Sequence, residues 1–103
     1  MTPDEQCARI LGREYLTHVQ PTFGDAIPVR LEYGSDETLL GEMFDWFNDN
    51  GFDIQLIISL AGKASFAYIH RDDDEWSNWF DAEKANKAVR DALIQASEVQ
   101  DET

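Results

Sequence analysis

Basic residues are scarce in this chain. Eight Lys and Arg stand against 21 Asp and Glu, for a net charge of −13. Phosphate binding depends on Lys and Arg, so this balance argues against DNA, RNA or an anionic membrane surface as a direct partner. Cysteine occurs once, as Cys7. A lone thiol makes neither an internal disulfide nor a zinc site, and the reading expects a cytoplasmic chain. Cys7 shares a predicted helix face with Ile10 and Leu11, which points to core packing rather than to a reactive thiol. No apolar run approaches the length of a membrane span. The opening Met1-Thr2-Pro3-Asp4-Glu5 has neither the basic nor the apolar region of a signal peptide. Gly41, Gly51 and Gly62 are isolated, so there is no phosphate-cradling glycine loop.

Catalytic and metal-binding patterns are missing as well. No Ser-His-Asp or Cys-His constellation is evident, and His18 and His70 read as ordinary surface or strand residues. Asp72-Asp73-Asp74-Glu75 lacks the alternating ligands, central Gly and distant Glu of a calcium loop. The sequence therefore predicts no enzyme, no cofactor and no metal.

What is present suffices for one α+β domain over residues 1–103. Apolar residues make up 43% of the chain, enough to bury a core and to exclude wholesale disorder. Thr2-Pro3-Asp4-Glu5 opens a first helix, with Thr2 as cap, that is expected to run to about His18. A loop follows over 20–28. Val29 to Tyr33 alternates as a half-exposed strand. Ser35 or Asp36 caps a second helix whose apolar stripe is Leu40, Met43, Phe44 and Phe47, ended by Asn50-Gly51. Ile54–Leu60 and Ser65–His70 form a hairpin, Arg71–Glu75 a charged turn, and Trp76–Phe80 a further strand. Asp81 caps a last helix lined by Ala85, Ala88, Val89, Ala92, Leu93 and Ala96, and the final residues from about 98 are expected to fray. The expected architecture is a three- to four-stranded, mainly antiparallel sheet packed with three helices.

The charge is concentrated. Residues 32–83 hold 13 acids and two bases, a net of −11, while each flank is nearly balanced. Glu42, Asp45 and Asp49 share one face of the second helix, which has no Lys or Arg and so accepts like-charge repulsion. Asp72, Asp73, Asp74 and Glu75 are contiguous. Such clusters are either a solvated surface or a surface that imitates the field of a nucleic acid. Trp76 and Trp79 follow the acidic run; each either fills the core, the placement the reading favours, or anchors a basic partner. The candidate partner-binding residues are Asp36, Glu37, Glu42, Asp45, Asp49, Asp72, Asp73, Asp74, Glu75 and Trp76.

Met1-Thr2-Pro3-Asp4-Glu5 at a first helix, Ser35-Asp36 at a second, Asn50-Gly51-Phe52 entering a hairpin, and Ala82, Ala85, Ala88 and Ala92-Leu93 in a last helix are together similar to the phage ABA sandwich domain. That resemblance implies a phage or mobile-element origin and a bacterial cytoplasm as the place of action. Small acidic proteins from that source are often similar to anti-CRISPR and anti-restriction inhibitors, which occupy basic nucleic-acid channels.

The function expected first is therefore non-enzymatic inhibition of a basic, nucleic-acid-binding protein or nucleoprotein complex of the host by imitation of DNA. Two alternatives stand beside it. One is a module that binds a signalling nucleotide through Arg9, Arg13 or Arg30. The other is a structural or assembly protein that dimerises through exposed Phe44, Trp46 and Ile57.

Overall fold

A computed structural model describes residues 1–101, with the backbone alone for Thr17, Val19, Gln100 and Asp101. Of the segment from about 98 that is expected to fray, residues 98–101 continue the last helix, and Glu102 and Thr103 lie outside the described residues. The α+β architecture holds, with helices α1 (Pro3–Ile10), α2 (Leu40–Asp49) and α3 (Ala85–Asp101) and strands β1 (Leu16–Val19), β2 (Ile27–Arg30), β3 (Phe52–Ile58), β4 (Ala64–His70) and β5 (Phe80–Ala82). Strands β3, β4 and β5 form one antiparallel sheet in that order, and β1 and β2 form a separate antiparallel pair.

Helix α1 begins as its sequence dictates. Pro3 occupies the first turn, and Thr2 Oγ1 accepts the Glu5 amide at 3.2 Å. It ends eight residues earlier than the periodicity predicts. Gly12 adopts φ +72°, the Gly12 amide donates to the Arg9 carbonyl, and the Arg13 amide donates to the Ala8 carbonyl at 2.8 Å. That pair of bonds is the Schellman stop. Gly12 thus terminates the helix, and Tyr15, His18 and Val19 lie in β1 and the residue before it.

The expected strand over 29–33 is displaced to Ile27–Arg30, drawn back into register with β1: Leu16 faces Arg30 and His18 faces Pro28. Tyr33 instead turns inward and is fully buried. Asp36 caps a short 3-10 turn, Glu37–Leu39, through its Oδ1 and the Thr38 amide at 3.0 Å, and α2 follows directly. Asn50 closes α2, and Gly51 turns the chain into β3 at φ +82°.

The β3–β4 hairpin forms as expected, but its first strand lies two residues earlier than predicted, and Ser59 and Leu60 fall outside it. Its inner face carries Phe52, Ile54, Leu56, Phe66 and Tyr68, joined by Phe80 of β5. Helices α2 and α3 pack on that face, and α1 packs on α3. Phe47, Phe52, Phe66 and Tyr68 meet ring to ring at 5.2–5.7 Å between centroids, with Met43, Val89 and Leu93 fully buried among the core residues. The outer face bears Asp53, Gln55 and Ile57.

The last strand starts later than predicted. Residues 76–79 run beside β4 outside regular pairing. The Ser77 amide donates to the Tyr68 carbonyl at 2.8 Å, and Ser77 Oγ accepts the Tyr68 amide at 3.0 Å. Asp81 does not cap α3. It lies in β5, where its carboxylate accepts the Ser65 hydroxyl at 2.5 Å.

Polar ties close the body. Arg90 donates to Asp4 at 2.8 Å, and the same carboxylate accepts the Gly34 amide at 3.0 Å. Asn86, buried, donates to the carbonyls of Tyr33 and Asp36. These bonds pin the 33–36 turn onto α1 and α3, which fixes where α2 begins.

Candidate functional site

The turn after β4 is built by main-chain and side-chain bonds. The Arg71 amide donates to the Gly51 carbonyl at 2.9 Å, and the Asp73 amide to the His70 carbonyl at 2.9 Å. His70 Nδ1 accepts the Asp72 amide at 3.2 Å. The Asp72 carboxylate comes within 3.8 Å of the same atom.

Arg71 could neutralise the run that follows it, but its guanidinium is directed elsewhere. It donates to Asp53 at 3.2 Å and to Asn48, at the end of α2, at 2.8 Å. Asp73, Asp74 and Glu75 are left exposed, and no ion pair to them occurs among the described residues.

These three acids and Trp76 rim an open groove of about 630 Å³. One wall is β-sheet, with Phe52, Tyr68 and His70; the other is α3, with Gln95 and Val99. His70 stands edge-on to Phe52 with centroids 5.3 Å apart. Burial raises the Tyr68 phenol above its ordinary range, partly offset by a hydrogen bond with Gln95, so the sheet wall presents a neutral ring. Trp76 and Trp79 are 46% and 47% exposed, so neither fills the core as the sequence reading favoured. No Lys or Arg lines the groove. An acid rim over aromatic walls attracts a cation and repels a phosphate.

The other predicted positions divide. Asp45 and Asp49 are exposed on α2 and make no ion pair among the described residues. Asp49 is next to Asn48, which Arg71 holds, so it stands at the same end of the molecule as the groove. Glu42 shares their sequence face but is engaged internally. Arg13 grips both its oxygens at 2.9 and 2.8 Å, and Tyr33 Oη donates to it at 3.1 Å. Asp36 is occupied as a cap. Glu37 lies by Ile58 and Gly62, at the other end of the hairpin from the acidic turn. The ten candidates therefore do not form one patch: Asp73, Asp74, Glu75 and Trp76 gather, with Asp72 and Asp49 nearby.

Phe52, Tyr68, His70 and Gln95 were missed as site residues. The alternation of β3 and β4 marks Phe52 and Tyr68 as core, and nothing in the sequence distinguishes the uncovered end of that core face.

Cys7 is fully buried in the core, and burial, with a smaller contribution from Asp4, pushes its thiol up to about 12. Arg9, Arg13 and Arg30 sit on three separate segments, with Arg9 near Glu5 and Arg13 held by Glu42. Phe44 and Trp46 are not an exposed pair. Both pack against the core, Trp46 stacking on Phe52 at 5.9 Å, while Ile57 is 49% exposed.

Among the described residues, no group of three or more His, Cys, Asp or Glu is disposed to hold a metal, and no helix is long and apolar enough to cross a membrane. The chain matches no protein-family model, no curated protein and no solved structure.

Proposed function

We propose that this chain is an acidic binding domain that captures a basic protein surface of the kind otherwise used to hold nucleic acid. The observation that carries the reading is the groove rimmed by Asp73, Asp74, Glu75 and Trp76, which Arg71 leaves un-neutralised. A Lys or Arg side chain entering it meets three carboxylates and aromatic faces. A cation over an aromatic ring contributes about 0.5–2 kcal/mol, depending on how far it is desolvated. Asp45 and Asp49 extend the negative field beyond the groove and speed encounter with a basic surface. The resemblance to phage ABA sandwich proteins supports a setting in which that surface belongs to a host defence complex, inhibited because the acidic domain occupies its nucleic-acid channel. The dispersal of Arg9, Arg13 and Arg30 weighs against a signalling-nucleotide pocket.

Titration of the isotope-labelled protein with a short arginine-rich peptide tests the groove. Amide and indole resonances of 72–78, Tyr68 and Gln95 should shift together, and the shifts should diminish as salt is added. A peptide that perturbs only α2, or nothing, removes the groove from the reading.

A further inference from the structure

The β1–β2 pair is an arm without a supporting layer. Among the described residues, no helix and no other strand packs substantially on it. Leu16, Phe23 and Ile27 on it are 45%, 90% and 53% exposed. A lone two-stranded hairpin is marginal in water and gains stability from further strands.

The two edges of the arm differ. The Leu31 amide donates to the Tyr15 carbonyl at 3.0 Å. In an antiparallel ladder bonded and non-bonded pairs alternate, so Leu16 opposite Arg30 and His18 opposite Pro28 are non-bonded pairs. Their main-chain groups therefore point away from the arm. On the β2 edge the outward N–H is missing at Pro28, which blunts it. On the β1 edge Leu16 and His18 both keep theirs.

Charge selects the occupant. Residues 16–31 contain one acid, Asp25, and one base, Arg30, so the arm holds none of the net −13. A basic partner is drawn to the body. A second copy is repelled by the body and meets no such repulsion at the arm.

We infer that β1 pairs antiparallel with β1 of a second copy, about a two-fold axis at Thr17, to give a four-stranded sheet in the order β2-β1-β1-β2. Leu16 of each strand exchanges main-chain hydrogen bonds with His18 of the other. The antiparallel arrangement carries each Phe23 toward the base of the partner's arm. It also holds the two acidic bodies apart by roughly the length of four strand residues, about 14 Å. That exceeds the screening length of about 8 Å at physiological salt.

Sedimentation velocity over a range of concentrations, at low and high salt, is the test. The dimer fraction should rise with concentration and also with salt, because salt screens the repulsion between bodies. Capture of a basic partner has the opposite salt dependence, so the two readings fail separately. His18→Pro removes one outward N–H and none of the arm's internal bonds, and should abolish the dimer; His18→Thr keeps the N–H and should retain it. Thr17→Cys places two thiols directly opposite across the axis and should give a covalent dimer on mild oxidation, Cys7 being buried. A monomer at every concentration and salt, a His18→Pro chain that dimerises as the parent does, or a Thr17→Cys chain that does not cross-link overturns the proposal.

Discussion

At the residue scale the chain places its reactive and charged groups out of reach or against one another. Cys7 should resist alkylation in the native protein and react once denaturant unfolds it; rapid labelling in buffer contradicts its burial. The thiol also sets an alkaline limit. Its ordinary value of 9.0 is raised to about 12 in the fold, so above pH 9 the folded chain keeps a proton that the unfolded chain has lost. This contribution is complete below pH 9 and is lost as pH rises toward 12. Burial, with Glu42 adding to it, raises the Tyr33 phenol in the same direction. Denaturant midpoints should fall over that range, and Cys7→Ser or Cys7→Ala should lessen the fall. Gly34 is a second constrained point: a Cβ there would overlap the Arg90 guanidinium and sit 3.2 Å from Asp4 Oδ1. Gly34→Ala must displace a partly buried ion pair and should cost about 2–3 kcal/mol, read as a lowered chemical-denaturation midpoint. An unchanged midpoint would mean that Arg90 moves aside freely.

At the scale of elements, glycines that look alike in sequence behave oppositely. Gly12 stops α1 in the left-handed region, so Gly12→Ala should destabilise by about 1 kcal/mol from backbone strain alone. Gly41 lies exposed near the start of α2 with open space where a Cβ would stand. Gly41→Ala should stabilise by about 0.5–1 kcal/mol. Thermal unfolding of the two variants checks both signs. The same contrast shows what the sequence discloses. Alternation over β3 and β4 and the stripe of α2 locate the hairpin and its helix within two to four residues, because period and core burial agree there. They fail from Ile10 to Tyr33. There, apolar residues at helical spacing past Gly12 belong to strands, and the decisive event is a stop signal plus a pairing between segments a dozen residues apart. Asp81 resembles a cap by position only; Ser65, from a neighbouring strand, claims it.

On the scale of the whole molecule, counting acids reveals where charge lies in the chain but not which charges remain available. Glu42 and Asp45 are three residues apart on one helix. Arg13, 29 residues before Glu42, neutralises Glu42 and leaves Asp45 exposed. Likewise Arg71 sits beside four acids in sequence and serves Asp53 and Asn48 in space. The acidic turn was legible as a candidate; the aromatic groove beneath it was not, since it needs β4 and α3 side by side. From this arrangement, Asp73, Asp74 and Glu75 changed together to Lys should weaken capture of a basic partner more than ten-fold, with the salt dependence flattened. Glu42→Lys should act mainly through stability, by leaving Arg13 and a second cation opposed.

If the proposed reading holds, the groove, and not net charge alone, selects a basic partner. Capture from cell lysate on immobilised protein separates the two, with parent and Asp73→Lys/Asp74→Lys/Glu75→Lys baits run in parallel, washed at rising salt and eluted with duplex DNA. The parent should retain a basic nucleic-acid-binding protein that salt and DNA both release, and the triple variant should retain little of it. A partner held equally by both baits, or one that neither salt nor DNA dislodges, would contradict the account.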